Sequence, residues 1–141
     1  MNISNIPIRS NGQRIIASWF NVLRTALISV VDTEIVSTET ISAAGKISHS
    51  DKVRQIRKVV GDSGNVTAST TPFGTDDTDF LDGMEITLIG TDDTNYVVIE
   101  PNDIQYGVVS PVGNAVLQEH FCVTYIYDAT AERFIEKTRN S

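Results

Sequence analysis

Residues 15–31 carry apolar side chains at Ile15, Ile16, Trp19, Phe20, Val22, Leu23, Ala26, Leu27, Ile28, Val30 and Val31. At about 100° per residue, all but Val22 and Ile28 fall within a face roughly 160° wide. Arg14, Ser18, Asn21, Thr25, Ser29 and Asp32 take the opposite face. The pattern predicts one long amphipathic helix. Ser10 and Gln13 have the S-x-x-Q spacing of a capping box, which starts it near residue 10, and the stripe carries it to about residue 33 or 36. Ile16, Trp19, Leu23, Ala26 and Val30 step by 3, 4, 3 and 4. That spacing fits a coiled-coil seam and fits equally a helix laid on a sheet. No second helical stretch of similar length follows, so either a β-region covers the stripe or copies of the helix cover one another.

The rest of the chain reads as strands. Small polar residues fill 37–50, with Ala43, Ala44 and Gly45 in the middle, and predict a linker. Beyond residue 50, strand-length apolar runs at 52–60, 66–69, 85–89, 96–100, 106–109, 115–118, 121–127 and 133–137 alternate with turns rich in Gly, Asn, Asp and Pro. The predicted fold class is mainly β with one long N-terminal α-helix, the β-part forming an antiparallel β-sandwich or barrel-like module. The expected segments are an arm and helix over 1–36, a linker over 37–50 and a β-rich domain over 51–141. In 121–127, both alternate faces carry bulky or apolar side chains, which asks for cover on both sides. Burial between subunits would supply it.

Composition narrows the function classes. The chain has 141 residues, 40% of them hydrophobic, which suffices for one domain with a real core. Its net charge of -7 argues against a nucleic-acid partner, because phosphates need clustered Lys and Arg. The one basic cluster, Lys52, Arg54, Arg57 and Lys58, is spaced like the outer face of a strand or helix. One cysteine, Cys122, leaves no intrachain disulfide. No signal peptide is read at the start, and the apolar stripe, interrupted by Asn21 and Arg24, is too short and polar-faced to span a bilayer. A soluble protein made in a cytoplasm, without a membrane partner, is the expectation.

Gly74-Thr75-Asp76-Asp77-Thr78 returns sixteen residues later as Gly90-Thr91-Asp92-Asp93-Thr94. Carboxylates clustered in loops can ligate calcium, but neither copy has EF-hand spacing or a glycine-rich nonapeptide pattern. Asx-turns explain both copies, so no metal and no cofactor is assigned. His120 and Cys122 could be imagined as a dyad on one strand face, yet no orienting group accompanies them and no catalytic constellation emerges. Tyr96 and Tyr106 are a candidate ligand surface, since aromatic rings can stack on sugars, while core or interface packing is the plainer use of Tyr96, Tyr106, Tyr125 and Tyr127.

The stretch Asp82-Gly83-Met84-Glu85-Ile86-Thr87-Leu88-Ile89-Gly90-Thr91-Asp92-Asp93-Thr94-Asn95-Tyr96-Val97-Val98-Ile99 resembles small β-modules of tailed-phage fibre and head-decoration proteins. The hairpin-like segment 123–136 and the start Gly12-Gln13-Arg14-Ile15-Ile16-Ala17-Ser18-Trp19-Phe20-Asn21 are similar to such subunits as well. Pro101 and Pro111 depart from the Gly-Asn turns common in that group. The resemblance implies a non-enzymatic virion protein, an intertwined homotrimer, with itself and other virion proteins as partners. Ile16, Trp19, Phe20, Leu23, Leu27 and Val30 would then form the oligomer interface, and Ile3, Ile6 and Ile8 would attach the arm to capsid or tail.

Overall fold

The computed structural model describes residues 33–76, 78 and 80–140. Ten strands run through them: β1 Thr33–Ile35, β2 Glu39–Ile41, β3 Arg54–Gly61, β4 Val66–Thr67, β5 Glu85–Gly90, β6 Val97–Ile99, β7 Val108–Val109, β8 Ala115–Leu117, β9 Cys122–Asp128 and β10 Arg133–Arg139. One sheet has the order β1-β3-β5-β9-β10-β7, with β2 also pairing β3, and the other has the order β4-β6-β8. In the larger sheet β1, β2 and β5 lie parallel to β3, and β7 lies parallel to β10. The β5-β9 and β9-β10 pairs are antiparallel.

The turns explain this mixture. The segments 62–65, 91–96 and 118–121 do not fold a strand back beside its predecessor. Each carries the chain from one sheet to the other, as an arch. Because β3 pairs with β5 and β4 with β6, both in parallel, the first two arches stack in the same direction, and the third runs back across them. Backbone bonds tie the arches together: Gly61 N donates to Asn95 O at 2.8 Å, and Gly90 N donates to Phe121 O at 2.9 Å. Chains pass so closely here that side chains do not fit. A Cβ on Gly61 would sit 2.3 Å from Gly64 O, and one on Gly90 would sit 2.1 Å from Gln118 O.

Alternation then assigns the core. Val59, Ile86, Leu88, Val123, Tyr125, Tyr127 and Phe134 of the larger sheet face Val66, Val97, Ile99, Ala115 and Leu117 of the smaller one, and all are buried. The loop between β4 and β5 inserts Phe73 and Phe80. Phe73 lies 4.6 Å from the Phe134 ring, and Phe80 meets Phe134 edge-on at 5.0 Å. Tyr127 packs against both Phe80 and Phe134. Offset and edge-on pairs of this kind add about 0.5–1.5 kcal/mol each beyond the area they bury.

The expected fold class needs two corrections. There is no α-helix among the described residues, and 33–35, read as the tail of a long helix, is strand. β-Branched Thr33 and Ile35 suit a strand, and their in-register pairing with Arg54 and Ile56 overrides the helical period. The module is also not antiparallel, since five of its strand pairs are parallel. Segment 37–50, read as a linker, carries β2 and the fully buried Ile41 and Ile47. The stripe residues Ile16, Trp19, Phe20, Leu23, Leu27 and Val30, and the arm residues Ile3, Ile6 and Ile8, lie outside the described residues.

Candidate functional site

The two candidate ligand tyrosines have different surroundings. Tyr96 stands half-buried at the second arch, where its hydroxyl accepts a hydrogen bond from Asn65 Nδ2 at 3.3 Å. Tyr106 is core: it is 8% exposed and its ring lies 5.9 Å from Phe80. Its backbone adopts φ 60°, and its N–H donates to Glu132 O at 2.7 Å. Tyr125 and Tyr127 are buried too, and burial pushes the Tyr125 hydroxyl far above its ordinary range.

The repeated acidic segments serve as turns. Asp92 Oδ1 accepts from Thr94 N at 2.7 Å and from Asn95 N at 2.6 Å, and these backbone donors hold its carboxyl below the usual range. Asp76 accepts from the Thr78 hydroxyl at 2.7 Å and from Thr78 N, with the same effect. Asn95, positioned by Asp92, in turn accepts from Gly64 N at 2.8 Å and so joins two arches. Asp93 accepts from Glu119 N in the third arch at 3.1 Å. His120 sits in that arch at φ 66° rather than on a strand, which removes the alternation that would place it beside Cys122. Burial raises the Cys122 thiol, opposite to what a nucleophile needs.

A polar cluster forms on the inner face of β3. Arg57 is 4% exposed and donates to Glu34 Oε1 and to Gln55 Oε1, both at 2.9 Å. Glu34 also accepts from the Ser50 hydroxyl at 2.6 Å, and Gln55 exchanges hydrogen bonds with the Ser50 backbone. The cluster clasps segment 48–52 against β1 and β3. Period-2 alternation through Gln55, Arg57 and Val59 was a signal for it, because it puts the arginine on the same face as a core valine. Arg54 and Lys58, by contrast, point to the exposed outer face.

A shallow cleft of about 420 Å3 opens beside this cluster, lined in part by Glu39, Lys46, His49 and Asp76. Glu39 already accepts from Ser48 N and Oγ, and Asp76 from Thr78. The lining holds charge of both signs, and its Ser48 hydroxyl donates to the Glu39 carboxylate at 2.9 Å. Among the described residues, no group of three or more His, Cys, Asp or Glu is placed to hold a metal ion, and no helix is long and apolar enough to cross a membrane.

One ion pair makes a pH prediction. Arg139 donates through Nε to Glu136 Oε1 at 2.6 Å and through its terminal nitrogens to Ser110 Oγ, Gly113 O and Asn114 O, locking β10 to the loop before β8. The Arg139 guanidinium holds the Glu136 carboxyl below its ordinary range, partial burial opposes this, and Ser110 adds to it. A carboxyl depressed on folding stabilises fully above its unfolded value, about 4.3, and that contribution is lost as pH falls through the folded value. Urea midpoints are therefore expected to drop below about pH 4, and Glu136→Gln is expected to be less stable at pH 7 but flatter across that acid range.

Comparison with family models, curated proteins and solved structures finds no match to this chain. What the fold and surface define is a two-sheet mixed β-module built from stacked arches, with most of its described aromatic side chains in the core.

Proposed function

We propose that the chain is a non-catalytic structural protein of a tailed-phage virion, made in the host cytoplasm, that assembles with its own copies and with a capsid or tail protein. Three copies is the stoichiometry implied by the resemblance to fibre and decoration subunits, and residues 1–32 supply the attachment. The observation that supports it best is strand β9, which carries bulky side chains on both of its faces. Inward, Val123, Tyr125 and Tyr127 of β9 are buried; outward, Cys122, Thr124 and Ile126 are half-buried. The outer row is mixed, with Thr124 hydrogen-bonded to Thr87 at 2.8 Å, but Cys122 and Ile126 beside it gain from further cover, and assembly would provide it. The alternative, a carbohydrate- or receptor-binding module, is weakened because Tyr106 is withdrawn into the core.

Electron microscopy of assembled particles, labelled with an antibody against the β-module, tests the reading. Label is expected at symmetry-related positions on head, neck or tail. Particles that carry none, with the protein confined to the soluble fraction of the lysate, contradict it.

A further inference from the structure

The larger sheet has an outer face as regular as its inner one. Registers place Ile35 beside Ile56 and Ile126 beside Ile135 on it, and none of these side chains is buried. Ile35, on the edge strand, is 65% exposed. The edge itself is open, since β1 and β2 pair with β3 on one side and with no other strand among the described residues.

Charge indicates what the face would take. Glu85 and Lys137 neutralise one another across β9, and Arg133 is paired with Asp103. Arg54 and Lys58, exposed and flanking Ile56, make no ion pair among the described residues. The chain overall has 18 Asp and Glu against 11 Lys and Arg, so a local excess of basic side chains around Ile35 and Ile56, with Arg54 in register beside the Lys137-paired Glu85, runs against the rest of the molecule.

A complementary surface exists on the same protein. The loops at 81–83, 101–105 and 128–132 are joined to one another: Ala129 N donates to Asp82, Gln105 donates to Glu132, and Tyr106 N bonds Glu132 O. This loop end carries Asp82, Asp103, Asp128 and Glu132 against Arg133 alone. It also exposes two large apolar side chains, Leu81 at 46% and Ile104 at 44%. The loop end is acidic and apolar where the outer face is basic and apolar. Two outer faces set against each other would bring Arg54 and Lys58 rows together, which favours unlike surfaces meeting.

We propose that the outer sheet face around Ile35 and Ile56, flanked by Arg54 and Lys58, docks the acidic loop end of a second copy through Leu81 and Ile104. The contact is head-to-tail, and such contacts close into rings when the rotation allows. The proposal rests on the self-assembling reading above and names the surfaces that carry it.

The test uses the full chain in sedimentation equilibrium, with Ile35→Glu and Ile104→Glu. Both positions are exposed, and circular dichroism checks that each variant keeps its β signal. Each variant alone is expected to self-associate at least about 30-fold more weakly than wild type, the size of an interface hot spot. Mixed, they are expected to form a one-to-one pair with the mass of two chains, because each retains the surface the other lacks. Added salt weakens that pair. An oligomer untouched by both substitutions overturns the surfaces while leaving self-assembly standing. Loss with Ile35→Glu but not with Ile104→Glu means that face meets face, and overturns the head-to-tail contact. A wild-type monomer overturns the proposal and the self-assembling reading together.

Discussion

Gly90→Ala is expected to destabilise the β-module by about 3–6 kcal/mol, combining overpacking with the loss of arch hydrogen bonds. The added methyl would lie 2.1 Å from Gln118 O and 2.3 Å from Leu117 O, and both are backbone atoms that cannot rotate away. Relief requires the second and third arches to separate. That movement breaks the Gly90 N to Phe121 O bond and the His120 N to Gly90 O bond together. Since small domains are stable by only about 5–15 kcal/mol, the substitution removes a large share of the module's stability. Gly83→Ala is the control. Gly83 has φ +81° but open space around its Cβ position, so it incurs only the left-handed backbone penalty, about 1–2 kcal/mol. Urea denaturation of the two variants separates close approach from backbone strain, and equal midpoints would contradict the stacked-arch packing.

The second large effect belongs to Phe134→Ala. Phe134 is fully buried and touches Phe73, Phe80 and Tyr127, so it joins β10 to β9 and to the long loop between β4 and β5. Truncating a buried phenylalanine costs about 3–5 kcal/mol, through lost transfer energy plus the cavity left behind. The loop's two aromatic anchors, Phe73 and Phe80, lose their shared partner at once, so proteolysis between Gly74 and Gly83 is expected to speed up beyond what the global destabilisation explains. Val112→Ala, at a residue 66% exposed, is expected to change stability by less than about 0.5 kcal/mol. A Phe134→Ala variant as stable as Val112→Ala would mean that the aromatic cluster does not organise this core.

Much of the β-region was legible in the sequence, and the reasons are local. Alternation in 54–61, 85–90 and 122–128 placed strands close to where they occur, and the Gly-Thr-Asp-Asp segments were read correctly as turn formers. What those turns connect was not legible. An Asx-turn with a glycine before it can fold a strand back onto its neighbour or carry it to a facing sheet, and the side-chain pattern is the same either way. Pairing direction is decided by distant partners such as Gly90 and Leu117, which no local window contains. The helical period misled at residues 33–35 for the same reason, because pairing with β3 lies twenty-one residues away. For the candidate site, residue type alone nominated Tyr106, and only its contact with Phe80 shows it to be core. Arg57 was grouped with its charged neighbours rather than with Val59, two residues on, whose burial it shares.

Self-assembly is the claim on which the functional account depends, and the mass of the intact chain in solution tests it most directly. Light scattering on purified protein at micromolar concentration is predicted to give a multiple of the 15.4 kDa chain mass, three copies by the stoichiometry proposed. A mass of 15.4 kDa that holds across that concentration range and at low salt would contradict the account.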